Sequence, residues 1–154
     1  MSIELLELGA AALGGLVPEV AFLGGASIEL WITDPAAPPV RPTKDVDVVV
    51  EVVTRSEFYT FEARLRAHGF SEDQEDGVIC RWRHNATGLI LDAMPGRPEI
   101  LGFENRWHAA ALSHAVERQL PLGDQDPGRK SPLPARHQTG RVQEPRARRP
   151  PWQP

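Results

Sequence analysis

The sequence predicts an α/β (α+β) domain, a small mixed β-sheet flanked by helices, and three observations lead there. The β-branched run Val48-Val49-Val50-Glu51-Val52-Val53 reads as a buried strand. Phe58, Phe61 and Leu65 recur at helical core spacing shortly after it. Two further strand candidates, Val78 to His84 and Leu89 to Met94, flank the hairpin-like turn Asn85-Ala86-Thr87-Gly88. At 154 residues the chain is long enough for one domain with a real core, but not comfortably for two.

Taken in order, Ile3, Leu5, Leu6, Leu8 and Leu13 give an apolar helical stripe, ended by Gly14-Gly15 and Pro18. Val20 to Leu23 is a short buried strand. Gly24-Gly25 then forces a tight turn into a brief helix over Ala26 to Trp31. Thr33 to Pro42 holds four prolines and is a loop. The central strand runs from Asp45 to Val53. Thr54 or Ser56 caps the next helix, whose core side adds Ala67 to the three residues above before Gly69 stops it. Phe70 to Gly77 is acidic, a solvated loop or the lead-in to a hairpin. After Pro95 closes the second hairpin strand, Ile100 to Phe103 leads into a helix expected from about Glu104 to Leu120.

From Pro121 the character changes. Eight of the chain's fifteen prolines fall from Pro121 onward, with scattered Arg, Gln and Gly and almost no apolar periodicity. Such a segment buries too little surface to offset its ordering entropy, so residues 121–154 are expected to be a disordered tail behind a domain at 1–120. The same mixture resembles a GC-rich coding sequence read in a shifted frame. A single-base discrepancy near the Leu120 codon would support that origin, and an intact frame in close relatives would count against it.

The net charge of −4 hides an asymmetry: seven basic residues against three acids leave 121–154 at +4 and the first 120 residues at −8. An acidic body is not a general nucleic-acid binder, because nonspecific affinity comes from Lys and Arg on phosphates. Cys80 is the only cysteine, so no internal disulfide forms, and no zinc-ligand spacing is visible. The first helix carries Glu4 and Glu7 and no Lys or Arg, unlike a signal peptide. No stretch reaches the roughly 20 apolar residues of a membrane span, so the expected location is cytoplasmic.

Chemistry concentrates at three carboxylates. Residues two apart on a strand share a face, so Asp45 and Asp47 project together, and they repel unless a cation neutralises them. Hard oxygen ligands of this kind suit Mg²⁺, which commonly takes one or two carboxylates plus substrate phosphates. Asp92 lies in the apolar run Leu89 to Met94, where a carboxylate is costly to bury alone; if the hairpin lays that strand beside the first, it completes the cluster. Gly24-Gly25 would let backbone N–H groups approach phosphates, with the helix start behind them and the Ser27 hydroxyl in reach. No G-x-x-x-x-G-K-[ST] is present, which excludes a P-loop. Each feature has a plainer alternative: a polar pair bordering a loop for the two aspartates, a strand-to-helix turn for the glycines, a water-facing strand end for Asp92. Arg41 and Lys44 read as surface charges or as cations at a phosphate site.

Gly24-Gly25-Ala26-Ser27, Arg41-Pro42-Thr43-Lys44-Asp45-Val46-Asp47, Ile79-Cys80-Arg81-Trp82-Arg83, Leu91-Asp92-Ala93-Met94-Pro95 and Ile100 to Trp107 follow one another in order. Together they resemble the AbiEii/AbiGii-type nucleotidyltransferases of the DNA polymerase β-like superfamily, many of them toxins of toxin–antitoxin pairs. The resemblance covers about Val20 to Ala111 and implies a nucleotidyltransferase-like fold. It implies Asp45, Asp47 and Asp92 as metal-binding and catalytic residues, with Gly24, Gly25 and Ser27 holding the triphosphate of an NTP. Arg41, Thr43 and Lys44 would flank the phosphates. It further implies a protein or RNA acceptor and a cognate antitoxin. The sequence departs from the family after about Leu120, where a helical region supplying a lysine is expected and the Pro/Arg-rich segment stands instead. The competing expectation is therefore a non-catalytic nucleotide- or partner-binding remnant. Missing helices would leave an apolar patch exposed, and with it a tendency to self-associate.

Overall fold

Residues Asp45–Val50 form the strand around which the sheet assembles, because both of its faces are covered where the valines lie. The computed structural model describes residues 2–75, 77–102, 106–120 and 139–143. In chain order these give α1 (Ser2–Leu13), β1 (Val20–Leu23), α2 (Gly25–Ile28), β2 (Asp45–Val50), α3 (Arg55–Ala67), β3 (Phe70–Glu72), β4 (Arg81–His84), β5 (Ile90–Pro95), α4 (Arg106–Ser113), β6 (Ala115–Gln119) and β7 (Thr139–Gln143). The strands make one seven-stranded sheet in the order β3-β4-β5-β2-β1-β7-β6. It is mixed: β2 pairs β5 in parallel and β1 antiparallel, while β3, β4 and β5 run as an antiparallel meander. The fold class is thus the α+β arrangement expected, with no described helix long and apolar enough to cross a membrane.

Val46, Val48, Val49 and Val50 are all buried, so β2 lacks the alternation of a one-sided strand. On the even-numbered face α1 approaches closely, since Gly9 brings its backbone against the Val46 side chain. On the odd-numbered face Leu112 of α4 and Val49 both border Gly96. That cover stops short of the start of β2, where Asp45 and Asp47 remain half-exposed. The uncovered corner of an otherwise buried strand is where the candidate site lies.

α1 buries Leu6, Ala10 and Leu13, a 4-then-3 spacing, while Leu8 is exposed. The expected stripe was too wide, because residues two apart on a helix point to different sides. α3 begins with a capping box: the Thr54 hydroxyl accepts from the Glu57 N–H at 3.1 Å and the Glu57 carboxylate accepts from the Thr54 N–H at 2.9 Å. The same carboxylate accepts from the Val53 N–H at 2.7 Å, which turns the chain away and ends β2 at Val50 rather than Val53. Phe58, Phe61 and Leu65 enter the core as expected; Ala67 is exposed.

Of the two alternatives for the acidic stretch after Gly69, the hairpin is the one formed: it opens as edge strand β3, antiparallel to β4 and held by the buried Phe70. β4 starts at Arg81 instead of Val78, because the Arg81 N–H turns back to the Val78 carbonyl at 3.3 Å. The hairpin loop closes where the Gly88 N–H donates to the His84 carbonyl at 2.8 Å, with Gly88 at φ 72°.

Two expectations after Leu101 are corrected. Of the helix expected from about 104 to 120, Arg106–Ser113 is helical but Ala115–Gln119 is strand β6, because pairing with β7 outweighs the modest helix preference of that stretch. Thr139–Gln143, inside the segment expected to be disordered, is a strand parallel to β1 and antiparallel to β6. Residues 103–105, 121–138 and 144–154, with the motif and tail expectations that fall on them, lie outside the described residues.

Candidate active site

Register brings the acids together. In the parallel β2–β5 pair Asp47 lies directly beside Asp92, and Asp45 sits two residues before it on the same face. On the far side of β5, Arg81 is the cross-strand partner of Asp92. Arg81, Asp92 and Asp47 therefore form one row across three strands, with Asp45 adjoining. The sequence put Asp45 and Asp47 on one face by period alone; β2–β5 pairing adds Asp92.

Arg81 is the residue that sequence reasoning left out of the site. Its Nε donates to Asp92 Oδ1 at 2.9 Å and its Nη2 to Asp92 Oδ2 at 2.8 Å, a bidentate fork. Nη2 also reaches Asp45 Oδ2 at 3.2 Å. Arg81 alternates with the buried Trp82 along β4, but only pairing with β5 directs it to Asp92. Arg83, on the same face, is used elsewhere, donating to the buried Asp73 at 2.6 Å.

Asp47 carries the electrostatic strain of the cluster. Burial, then the charges of Asp45 and Asp92, push its carboxyl up to about 6, while Arg81 pulls the other way. Cys80, beside this row, has its thiol pushed up by burial and then by Asp92, which disfavours the thiolate.

The glycine bend is fitted to Asp47. Gly24 has φ 73° and ψ −165°, a conformation essentially reserved for glycine. A Cβ built on it would collide with Asp47 Oδ2. Backbone and carboxylate can be neighbours here only because residue 24 has no side chain. α2 is a single turn continued as a 3₁₀ turn over Glu29–Trp31, so little helix dipole stands behind the bend.

The remaining expected residues take distinct positions. Ser27 is buried and its hydroxyl donates to the Gly24 carbonyl at 2.9 Å, which clamps the bend rather than presenting the hydroxyl hydrogen to a phosphate. Thr43 Oγ1 donates to Asp45 Oδ1 at 2.6 Å and so orients that carboxylate. Gly25 packs against Thr43. Arg41 and Lys44 are exposed on the loop entering β2. A groove of about 620 Å³ borders this Pro-rich loop, lined by Ile3, Glu29, Ile32 and Asp34 among others, but by none of the three aspartates.

As placed, no group of three or more His, Cys, Asp or Glu side chains among the described residues is arranged to hold a metal ion. The Arg81 fork meets both oxygens of Asp92 and offsets its charge. Asp45 and Asp47 form a smaller donor set, and two carboxylates completed by substrate phosphates and water are an ordinary environment for Mg²⁺. The raised Asp47 carboxyl, short of positive charge beside two other acids, fits such a cation. No protein-family model matches the chain, and comparison with curated proteins also finds no match.

Proposed function

We propose that this chain is a Mg²⁺-dependent nucleotidyltransferase that moves a nucleotidyl group from an NTP to a protein or RNA acceptor. The observation that carries the proposal is the row Asp47–Asp92 with Asp45 adjoining, set against a glycine bend that leaves no room for a side chain beside Asp47. Asp45 and Asp47 would hold Mg²⁺, and the ion, when bound, supplies charge neutralisation at the phosphates. The Gly24-Gly25 backbone, with Arg41 and Lys44, takes the triphosphate. Asp92, held by Arg81, orients the acceptor hydroxyl and takes its proton as the oxygen attacks the α-phosphorus. The new bond is acceptor oxygen to phosphorus; the bond to the bridging oxygen breaks, and pyrophosphate leaves in line.

Incubation with α-labelled NTPs and Mg²⁺ tests this reading. The wild-type chain is expected to label a protein or RNA acceptor, and Asp47→Asn to lose that labelling by at least about 100-fold. Absence of both NTP binding and label transfer would end the proposal. One observation favours a second reading, a nucleotide-binding remnant: Arg81 already neutralises Asp92 and part of Asp45. Saturable NTP binding without transfer to any acceptor would select it.

The motif resemblance extends the proposal to a toxin with a cognate antitoxin. Growth arrest on expression, relieved by the product of a neighbouring reading frame, is the expected result.

A further inference from the structure

The geometry points to Arg81 as a positioning residue that divides the three carboxylates: it keeps Asp92 out of the metal shell and must release Asp45 when a divalent cation binds. This rests on the metal-dependent reading above. Two of the contacts that Arg81 makes, to Asp92 and to Asp45, are unequal. Toward Asp92 it is a two-bond fork at 2.9 and 2.8 Å between side chains only 15% and 10% exposed. Toward Asp45 it is a single contact at 3.2 Å to a side chain that is 31% exposed and already bound by the Thr43 hydroxyl at 2.6 Å. Parallel, desolvated N–H···O bonds are the stronger and more directional of the two. The Asp45 contact is therefore the one that yields.

A guanidinium does not give up its proton, so its charge leaves the site only by movement. A divalent ion shared by Asp45 and Asp47 would stand close to that charge and be repelled by it until the 3.2 Å contact opens. Thr43 keeps Asp45 oriented through this exchange. Asp92, whose charge the fork already offsets, stays as an acceptor-facing carboxylate, each oxygen keeping a lone pair beyond the one the fork uses.

Mn²⁺ alone, titrated into the full chain and followed by electron paramagnetic resonance, reads this directly. The wild type is expected to bind Mn²⁺ and Asp47→Asn to lose binding. Arg81→Gln, folded by circular dichroism, is expected to bind roughly tenfold more tightly, since the competing charge is gone and Asp92 is freed. Arg81→Lys keeps a charge and is expected to stay within about threefold of wild type. A loosened fold would weaken binding rather than tighten it. Unchanged or weaker Mn²⁺ binding by folded Arg81→Gln overturns the inference and leaves metal binding at Asp45 and Asp47 standing. If Arg81→Gln does not fold, Asp92→Asn decides. It is expected to weaken Mn²⁺ binding by roughly fivefold, because the Arg81 charge no longer offset by Asp92 bears more strongly on the Asp45 side of the site. Loss as complete as in Asp47→Asn would make Asp92 a ligand and overturn the inference. No Mn²⁺ binding by any of these chains would remove the metal-dependent reading itself.

Discussion

At Gly24 two requirements coincide: a backbone conformation that other residues do not adopt, and contact with Asp47 that a Cβ would prevent. Gly24→Ala is expected to cost about 1–3 kcal/mol in stability from the backbone alone. It should also displace the Asp47 carboxylate and abolish NTP binding. Chemical denaturation and a nucleotide titration check the two effects separately, and wild-type nucleotide affinity in the variant would contradict the site. Asp47 is a liability for the metal-free fold. Its carboxyl is raised to about 6 in the folded chain, so folding there favours the protonated form. The unfolded chain loses that proton near 3.8 and the folded chain near 6, so stability falls as pH rises through this window. Asp47→Asn removes the charge, and its melting temperature is expected to exceed that of wild type at about pH 7 and to match it near about pH 4. Thermal scans across that range, without divalent metal, measure the crossover; no gain at neutral pH would mean that the carboxylate is adequately solvated.

Among the elements, α3 is the one whose start is written most completely in local sequence. Thr54 and Glu57 satisfy each other's backbone N–H groups, and Glu57 also takes that of Val53. Thr54→Ala is expected to destabilise the fold by about 1 kcal/mol, read from urea midpoints, with no change in nucleotide binding. β2 shows why an element's length is harder to read than its existence. Its valine run continues to Val53, but the α3 capping box takes over the backbone before then, and Val53 is 59% exposed. In the β4–β5 hairpin the alternation around Trp82 gives the faces correctly, while the first residues expected in β4 turn back on themselves. Arg81 gains its role from this hairpin, since the 81–92 pairing delivers a cation to the acids.

Over the whole molecule, the sheet does not stop at β1. β7 lies parallel to β1 through Ala21 and Phe22, and β6 closes that side as the outer strand. Removing everything after Leu120 would uncover the β1 edge in the middle of the sheet, leaving unpaired N–H and C=O groups as a template for another chain. A chain ending at Leu120 is expected to self-associate more strongly than the full chain, with light scattering at matched concentrations as the measurement. A monomer as well behaved as the full chain would mean that β7 adds little to that edge.

Local periodicity made much of this protein legible in its sequence. It narrowed the α3 cap to Thr54 or Ser56 and gave Phe58, Phe61 and Leu65 as its core residues, along with the buried β2, the hairpin turn, and Asp45 and Asp47 on one side of a strand. These depend on neighbours within a few residues, where backbone period and side-chain hydrogen bonding are decisive. Tertiary structure alone decided that Asp47 sits beside Asp92, that Arg81 bridges Asp92 and Asp45, and that Ser27 turns inward to clamp the bend. It also made a strand of Thr139–Gln143, which has no apolar pattern of its own. The physical reason is common to all of these: cross-strand register is fixed by pairing between segments distant in the chain, and a one-residue slip would send every side chain to the opposite face.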